Sequence, residues 1–215
     1  MDLTDIEVRV LGALMEKEMS TPEYYPLSLN ALVNACNQKS SREPVVSYDD
    51  KTVARALESL KEQQLVYQAA GSRVPKYGNN FTKAHNLINK EAALLCVLML
   101  RGPQTAGELR SRSDRLFKFA TLAEVEQTLA DLTELKLVAT LPKQPGRKEP
   151  RHAHLLAGPP DPAAVAPLEP KPEPATLEVR AENDRIALLE SDLARLREEV
   201  DELKEAFLDF KKQFE

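Results

Sequence analysis

The side chains with chemistry to offer are mostly cations, and they fall into groups. Lys51 and Arg55, four residues apart, share one face of a helix; Lys61 follows, and Arg73 and Lys76 stand close after Gly71. Arg110, Arg112, Arg115 and Lys118 form a second group, and Lys143, Arg147, Lys148 and Arg151 a third around Gly146. Such groups neutralise phosphates, and each contact steepens the dependence of binding on salt. They predict a protein that touches duplex DNA mainly along its backbone, with modest sequence specificity. Carboxylates oppose this reading. Asp49, Asp50, Glu58 and Glu62 surround the first group, and Glu124, Glu126, Asp131 and Glu134 stand against Lys136 on a helix of the second half. That second helix is not expected to face phosphates. The alternative is a protein-interaction scaffold.

Other reactive residue types lack company. Cys36 has no histidine near it in sequence and is read as a packed thiol, not a nucleophile. His152 and His154 fall on one side of a strand, a spacing that can seat a metal, yet no acidic or Cys ligand accompanies them, so exposed imidazoles are expected. The polar run Asn34 to Glu43 offers donors from Asn37, Gln38, Ser40 and Arg42, but Asn and Ser in such runs more often close helices and shape turns. None of the glycines at 12, 71, 78, 102, 107, 146 and 158 builds a phosphate loop. The chain is therefore read as a non-enzyme with no catalytic residue, cofactor or metal.

The elements that must position the cations repeat. At an offset of 72, Val53, Leu57, Leu60, Leu65 and Val66 fall on Val125, Leu129, Leu132, Leu137 and Val138. Glu7 to Met15 falls on Glu91 to Met99 at an offset of 84, and Ser28 with Leu32 on Thr105 with Leu109 at 77. Each copy reads as an apolar helix, a turn with Pro, a second helix capped by Ser28 or Thr105, a third amphipathic helix, and a strand leading into a Gly-bearing basic loop. Thr4 and Glu7 form a capping box for the first helix. Three helices followed by a β-hairpin is the winged-helix plan, a helix-turn-helix variant. The fold class is thus mostly α within α+β, as two tandem winged helices over residues 1–84 and 85–158.

A proline-rich linker, 159–175, follows: seven of the sixteen residues from Pro159 to Pro174 are Pro. Over 176–215 apolar residues alternate steps of three and four through Ile186, Leu189, Leu193, Leu196, Val200, Leu203, Phe207, Phe210 and Phe214, the seam of a coiled coil. With Ile186 at position a, Arg185 meets Glu190, Asp192 meets Arg197 and Glu199 meets Lys204 across a parallel pair, all attractive. This predicts a parallel homodimer; a lone helix folding back on the winged domains is the alternative.

Composition excludes much else. A chain of 215 residues with 42% hydrophobic and 29% charged side chains buries a core and is not disordered. The formal charge of −5 hides a mildly basic middle, net +3 over 85–158, and an acidic tail, net −7 over 159–215. Aromatics at 5%, with no Trp, speak against a base-stacking RNA platform. The longest apolar run, Ala92 to Leu100, is too short for a bilayer span, and two well-separated Cys make no disulfide framework. No membrane partner and no leader segment are expected, since Asp2 and Asp5 bring acid where a secretory signal carries base; the expected location is the cytoplasm.

The runs Thr21-Pro22-Glu23-Tyr24-Tyr25-Pro26-Leu27-Ser28, Asn34 to Pro44, Arg101-Gly102-Pro103-Gln104-Thr105 with Gly107-Glu108-Leu109-Arg110, and Pro145-Gly146-Arg147-Lys148 resemble the bacterial YceH-like family. The resemblance covers about residues 3 to 156. It implies tandem winged helices in a bacterial cytoplasmic protein, and it implies no activity.

Overall fold

Two long helices that begin their respective copies meet at the centre of the molecule. The computed structural model describes residues 2–70, 74–143 and 149–158, all within one compact unit of the chain. The expected linker and coiled coil, with Ile186, Leu189, Leu193, Leu196, Val200, Leu203, Phe207 and Phe210, lie outside the described residues, as do Arg73, Arg147 and Lys148.

The first copy runs α1 (Asp5–Ser20), a 3-10 turn (Pro22–Tyr24), β1 (Leu27–Ser28), α2 (Leu29–Cys36), α3 (Asp50–Glu62), β2 (Val66–Ala69) and β3 (Lys76–Asn79). A short α4 (Phe81–Ala84) leads to the second copy: α5 (Asn89–Arg101), α6 (Ala106–Arg112), α7 (Leu122–Glu134), β4 (Val138–Thr140) and β5 (His152–His154). About half of the described chain is helical and the sheets are small and antiparallel, an α+β fold.

Local chemistry sets the helix starts. Thr4 and Glu7 exchange the two bonds of a capping box, with the Thr4 N–H donating to Glu7 Oε2 at 2.7 Å. Ser28 caps α2, Asp49 caps α3 and Thr121 caps α7. Thr105 and Glu108 repeat the box on α6. At the start of α5 the box is half present: Glu91 accepts from the Ile88 N–H at 3.0 Å, but Ile88 has no oxygen to return the bond. The third helices also end alike. Gln64 and Lys136 both take a left-handed backbone (φ 58° and 57°), and the next residues, Leu65 and Leu137, donate back to Leu60 and Leu132.

In the first copy β3 lies between β1 and β2, pairing Leu27 with Tyr77 and Val66 with Asn79. In the second, β4 pairs with β5, and the place of β1 is held by one bridge: Gln104 and His152 exchange bonds of 3.0 and 2.7 Å. One apolar core spans both copies. Residues Glu7–Met15 of α1 and Glu91–Leu100 of α5 are all buried, because each helix has a partner on nearly every side. They approach closely at Gly12, where a Cβ would lie 3.1 Å from Leu100 Cδ2, and the Cys96 thiol donates to the Gly12 carbonyl at 3.4 Å. Gly102, at φ +69°, ends α5. The start of the chain closes the unit: Leu3 N–H donates to the Leu156 carbonyl at 2.8 Å, and Asp2 bridges Ala157.

Candidate functional site

The basic residues singled out from sequence divide by what holds them. On α3, Lys51 and Arg55 are exposed on the first two turns, and Lys61 is exposed near the helix end, donating to Gln68 Oε1 at 3.1 Å. Glu58 and Glu62 share the exposed surface of this helix. Lys76 opens β3 half-buried, opposite Ser28 and Ala69. In the second copy Arg110 is exposed, with Nη2 donating to the Ala120 carbonyl at 2.8 Å. Arg112 donates to Gln104 Oε1 and lies 3.5 Å from Glu108, a carboxylate that Arg151 approaches to 4.0 Å. Arg115, Lys118 and Lys143 are exposed. The exposed face of α7 carries Glu126, Gln127 and Glu134, so carboxylates dominate the third helix of this copy.

Arg112 and Arg115 do not join the α3 cations. They line a cavity of about 160 Å³ together with Lys17 and Arg101, two residues that sequence reasoning passed over. A signal for them existed, since at the offset of 84 that aligns α1 on α5, Lys17 falls on Arg101. Each sits in the last turn of its helix.

Behind this cavity lies a knot that fixes the polar run. The Arg42 side chain is fully buried; it donates to Glu16 at 3.0 and 2.5 Å and to the Ala35 carbonyl at 2.9 and 3.2 Å. Arg9, also buried, donates to the Cys36 and Pro44 carbonyls at 3.3 and 2.7 Å. Asn37 exchanges two 2.8 Å bonds with the Tyr48 backbone. Two buried guanidiniums and one amide thus satisfy the last carbonyls of α2, at Ala35 and Cys36, and those of Pro44 and Tyr48 in the irregular segment that follows. Burial alone would raise the Glu16 carboxyl; the Arg42 bonds and charge outweigh it and hold the carboxyl below its usual range. Burial, then the like charges of Arg112 and Arg42, pull the Arg101 guanidinium below its ordinary value.

The two thiols are buried and the imidazoles of β5 are partly so. Burial pushes Cys36 up to about 12 and raises Cys96 as well, so neither supplies a thiolate near neutral pH. The expectation of exposed imidazoles is corrected. His152 and His154 are half-buried because β5 packs against α5, and burial draws His154 down to about 4. His154 Nδ1 is sealed from solvent without a partner. Among the described residues no three of His, Cys, Asp and Glu gather as metal ligands, and no helix is long and apolar enough to cross a membrane.

Comparison with known proteins places this arrangement among relatives. The sequence profile described as "Protein of unknown function, DUF480" matches residues 3–147. A UPF0502 protein of Geotalea uraniireducens is 55% identical, with 100% of this chain and 99% of the relative covered. One from Geobacter sulfurreducens is 54% identical over 99% of this chain and 98% of its own, and one from Solibacter usitatus is 54% identical over 97% and 96%. Coverage this complete means that the likeness continues beyond the profile, through the proline-rich stretch and into the heptads. The chain belongs to the bacterial DUF480, or UPF0502, family.

Proposed function

We propose that this is a tandem winged-helix protein of the bacterial cytoplasm that binds duplex DNA as a homodimer, contacting the phosphate backbone and catalysing no reaction. The observation that carries the reading is the first copy's third helix, α3, which leaves Lys51 and Arg55 exposed on its opening turns and is followed at once by the β2–β3 hairpin. In winged helices the third helix meets the groove and the hairpin lies against the backbone. The YceH-like resemblance of the Thr21–Ser28 and Asn34–Pro44 motifs supports the same plan. Lys76, Arg110, Lys118 and Lys143 add exposed or half-exposed charge, and Arg151 precedes β5; the sequence adds Arg73, Arg147 and Lys148. The two buried thiols call for no oxidising compartment. Pairing through the heptads at Ile186 to Phe210 would double the footprint.

The acidic face of α7 favours a second reading, a scaffold that binds protein through the same fold. Fluorescence anisotropy of a labelled duplex titrated across KCl separates the two. Binding that weakens linearly on a log–log plot supports DNA. A Lys51→Gln/Arg55→Gln double variant should then lower the slope by roughly 2, at about 0.9 per phosphate contact. Absence of binding at low salt would sink the DNA reading and promote the scaffold.

A further inference from the structure

The repeat puts a cation at the end of each central helix, and the packing of α1 on α5 brings the pair to one place. Lys17 closes α1 and Arg101 closes α5. Both line the cavity of about 160 Å³, where they meet Arg112 and Arg115 from the end of α6 and the loop beyond it. The partial negative charge of a helix C-terminus accounts for one basic residue on each long helix and for Arg112 at the end of α6. It does not account for Arg115, which lies in the loop beyond.

Four cations share these walls with one carboxylate, Glu16, and Glu16 is already committed to Arg42 at 3.0 and 2.5 Å. Lys17 lies 3.5 Å from the same carboxylate, and Arg112 lies 3.5 Å from Glu108, a pair left about a third exposed and so largely screened by water. Among the described residues neither Arg101 nor Arg115 has a carboxylate within 4 Å; Arg101 Nη2 donates instead to the Ser41 hydroxyl at 2.8 Å. Like charges crowded into a recess repel one another unless an anion joins them. Guanidinium forks beside hydroxyls, here those of Ser20, Ser40 and Ser41, match a group of three charged oxygens.

We propose that this recess between the two copies binds the phosphoryl group of a small phosphorylated molecule. The volume sets the size of the occupant. It resembles the roughly 150 Å³ cavity that takes up one benzene and falls short of the roughly 300 Å³ at which pockets engulf a drug-sized ligand. The phosphoryl group and its first few atoms fit inside, and the remainder of the molecule projects outward. Lys17 and the Ser40–Ser41 wall belong to the first copy, and Arg101, Arg112 and Arg115 to the second, so the occupant ties the copies together. Of the cations in the nucleic-acid reading, Lys51, Arg55 and Lys76 do not line the cavity, whereas Arg112 and Arg115 do and are given to the recess instead.

The test follows the melting temperature of the full chain by calorimetry, with inorganic phosphate and glycerol 3-phosphate as probes and chloride at matched ionic strength as reference. The expected result is a saturable rise with either probe that chloride does not produce. Arg101→Gln/Arg115→Gln should raise the half-saturating concentration at least tenfold, while Lys51→Gln/Arg55→Gln leaves it unchanged. Should the double variant fail to fold, Arg115→Gln alone, at an exposed loop position, is expected to raise it several-fold. No rise beyond that in chloride, or a rise undiminished in these variants, overturns the proposal. So does a loss of duplex binding in Arg101→Gln/Arg115→Gln with the phosphate response intact, which would assign the recess to nucleic-acid backbone.

Discussion

Arg42 makes more interactions than any other side chain in the polar run between α2 and α3, and its charge has no water to fall back on. Breaking a buried pair by removing one partner strands the other, at a cost of about 3–5 kcal/mol, whereas replacing both by apolar groups is often neutral. Glu16→Ala is therefore expected to destabilise the protein by about 3 kcal/mol in urea denaturation, and Glu16→Leu/Arg42→Met to recover only part of the loss, because the Ala35 carbonyl then loses both of its Arg42 donors. The pH dependence follows from the direction of the Glu16 shift. A carboxyl held low in the folded state contributes stability that is full above its unfolded value, roughly 4.3, and lost as pH falls through the lower folded one. Urea midpoints measured from pH 6 down to pH 3 should drop more steeply in the wild type than in Glu16→Ala. The pair is separated by 26 residues, and nothing in the sequence joins them before the chain folds. Sequence patterns could mark Asn34 to Glu43 as a structural run, but not name the residue that anchors it.

Among the elements, α1 and α5 carry the greatest packing demand. Gly12 of α1 faces α5, with Leu100 and Met99 side chains already 3.1–3.2 Å from the point a Cβ would occupy. Gly12→Val must push the helices apart, and a loss of about 1–3 kcal/mol is expected from thermal or urea unfolding. An unchanged midpoint would mean that Leu100 yields freely. Helix order and helix starts were legible in the sequence because their causes are local: a 3.6-residue apolar period, and cap residues such as Thr4, Ser28 and Thr105 three positions ahead of the N–H they accept. The burial of His152 and His154 was not legible, since it depends on α5 lying against β5. Lys17 and Arg101 were half legible. The offset of 84 aligned them, but reading cations only along third helices and hairpin loops left them aside.

At the scale of the whole molecule, the described residues are one core built from two copies, and the heptads from Ile186 to Phe210 lie beyond it in sequence. If those heptads hold the dimer, a chain ending at Gly158 should run as a monomer by light scattering while the full chain runs as a dimer. A dimer that persists after truncation would move the interface to the folded unit. With Arg112 and Arg115 lining the recess, the nucleic-acid reading rests on Lys51, Arg55 and Lys76 of the first copy and on Arg110, Lys118 and Lys143 of the second.

The bridge between Asp2 and Ala157 gives this architecture a circular quality. Its two ends are stitched side by side, so a peptide tether from the Gly158 end back to Asp2 would need to span only a short gap, and the polypeptide could be reopened at an exposed bend elsewhere. A bulky fusion set directly against Asp2, by contrast, would pry at the stitch that keeps Leu3 and Leu156 in register.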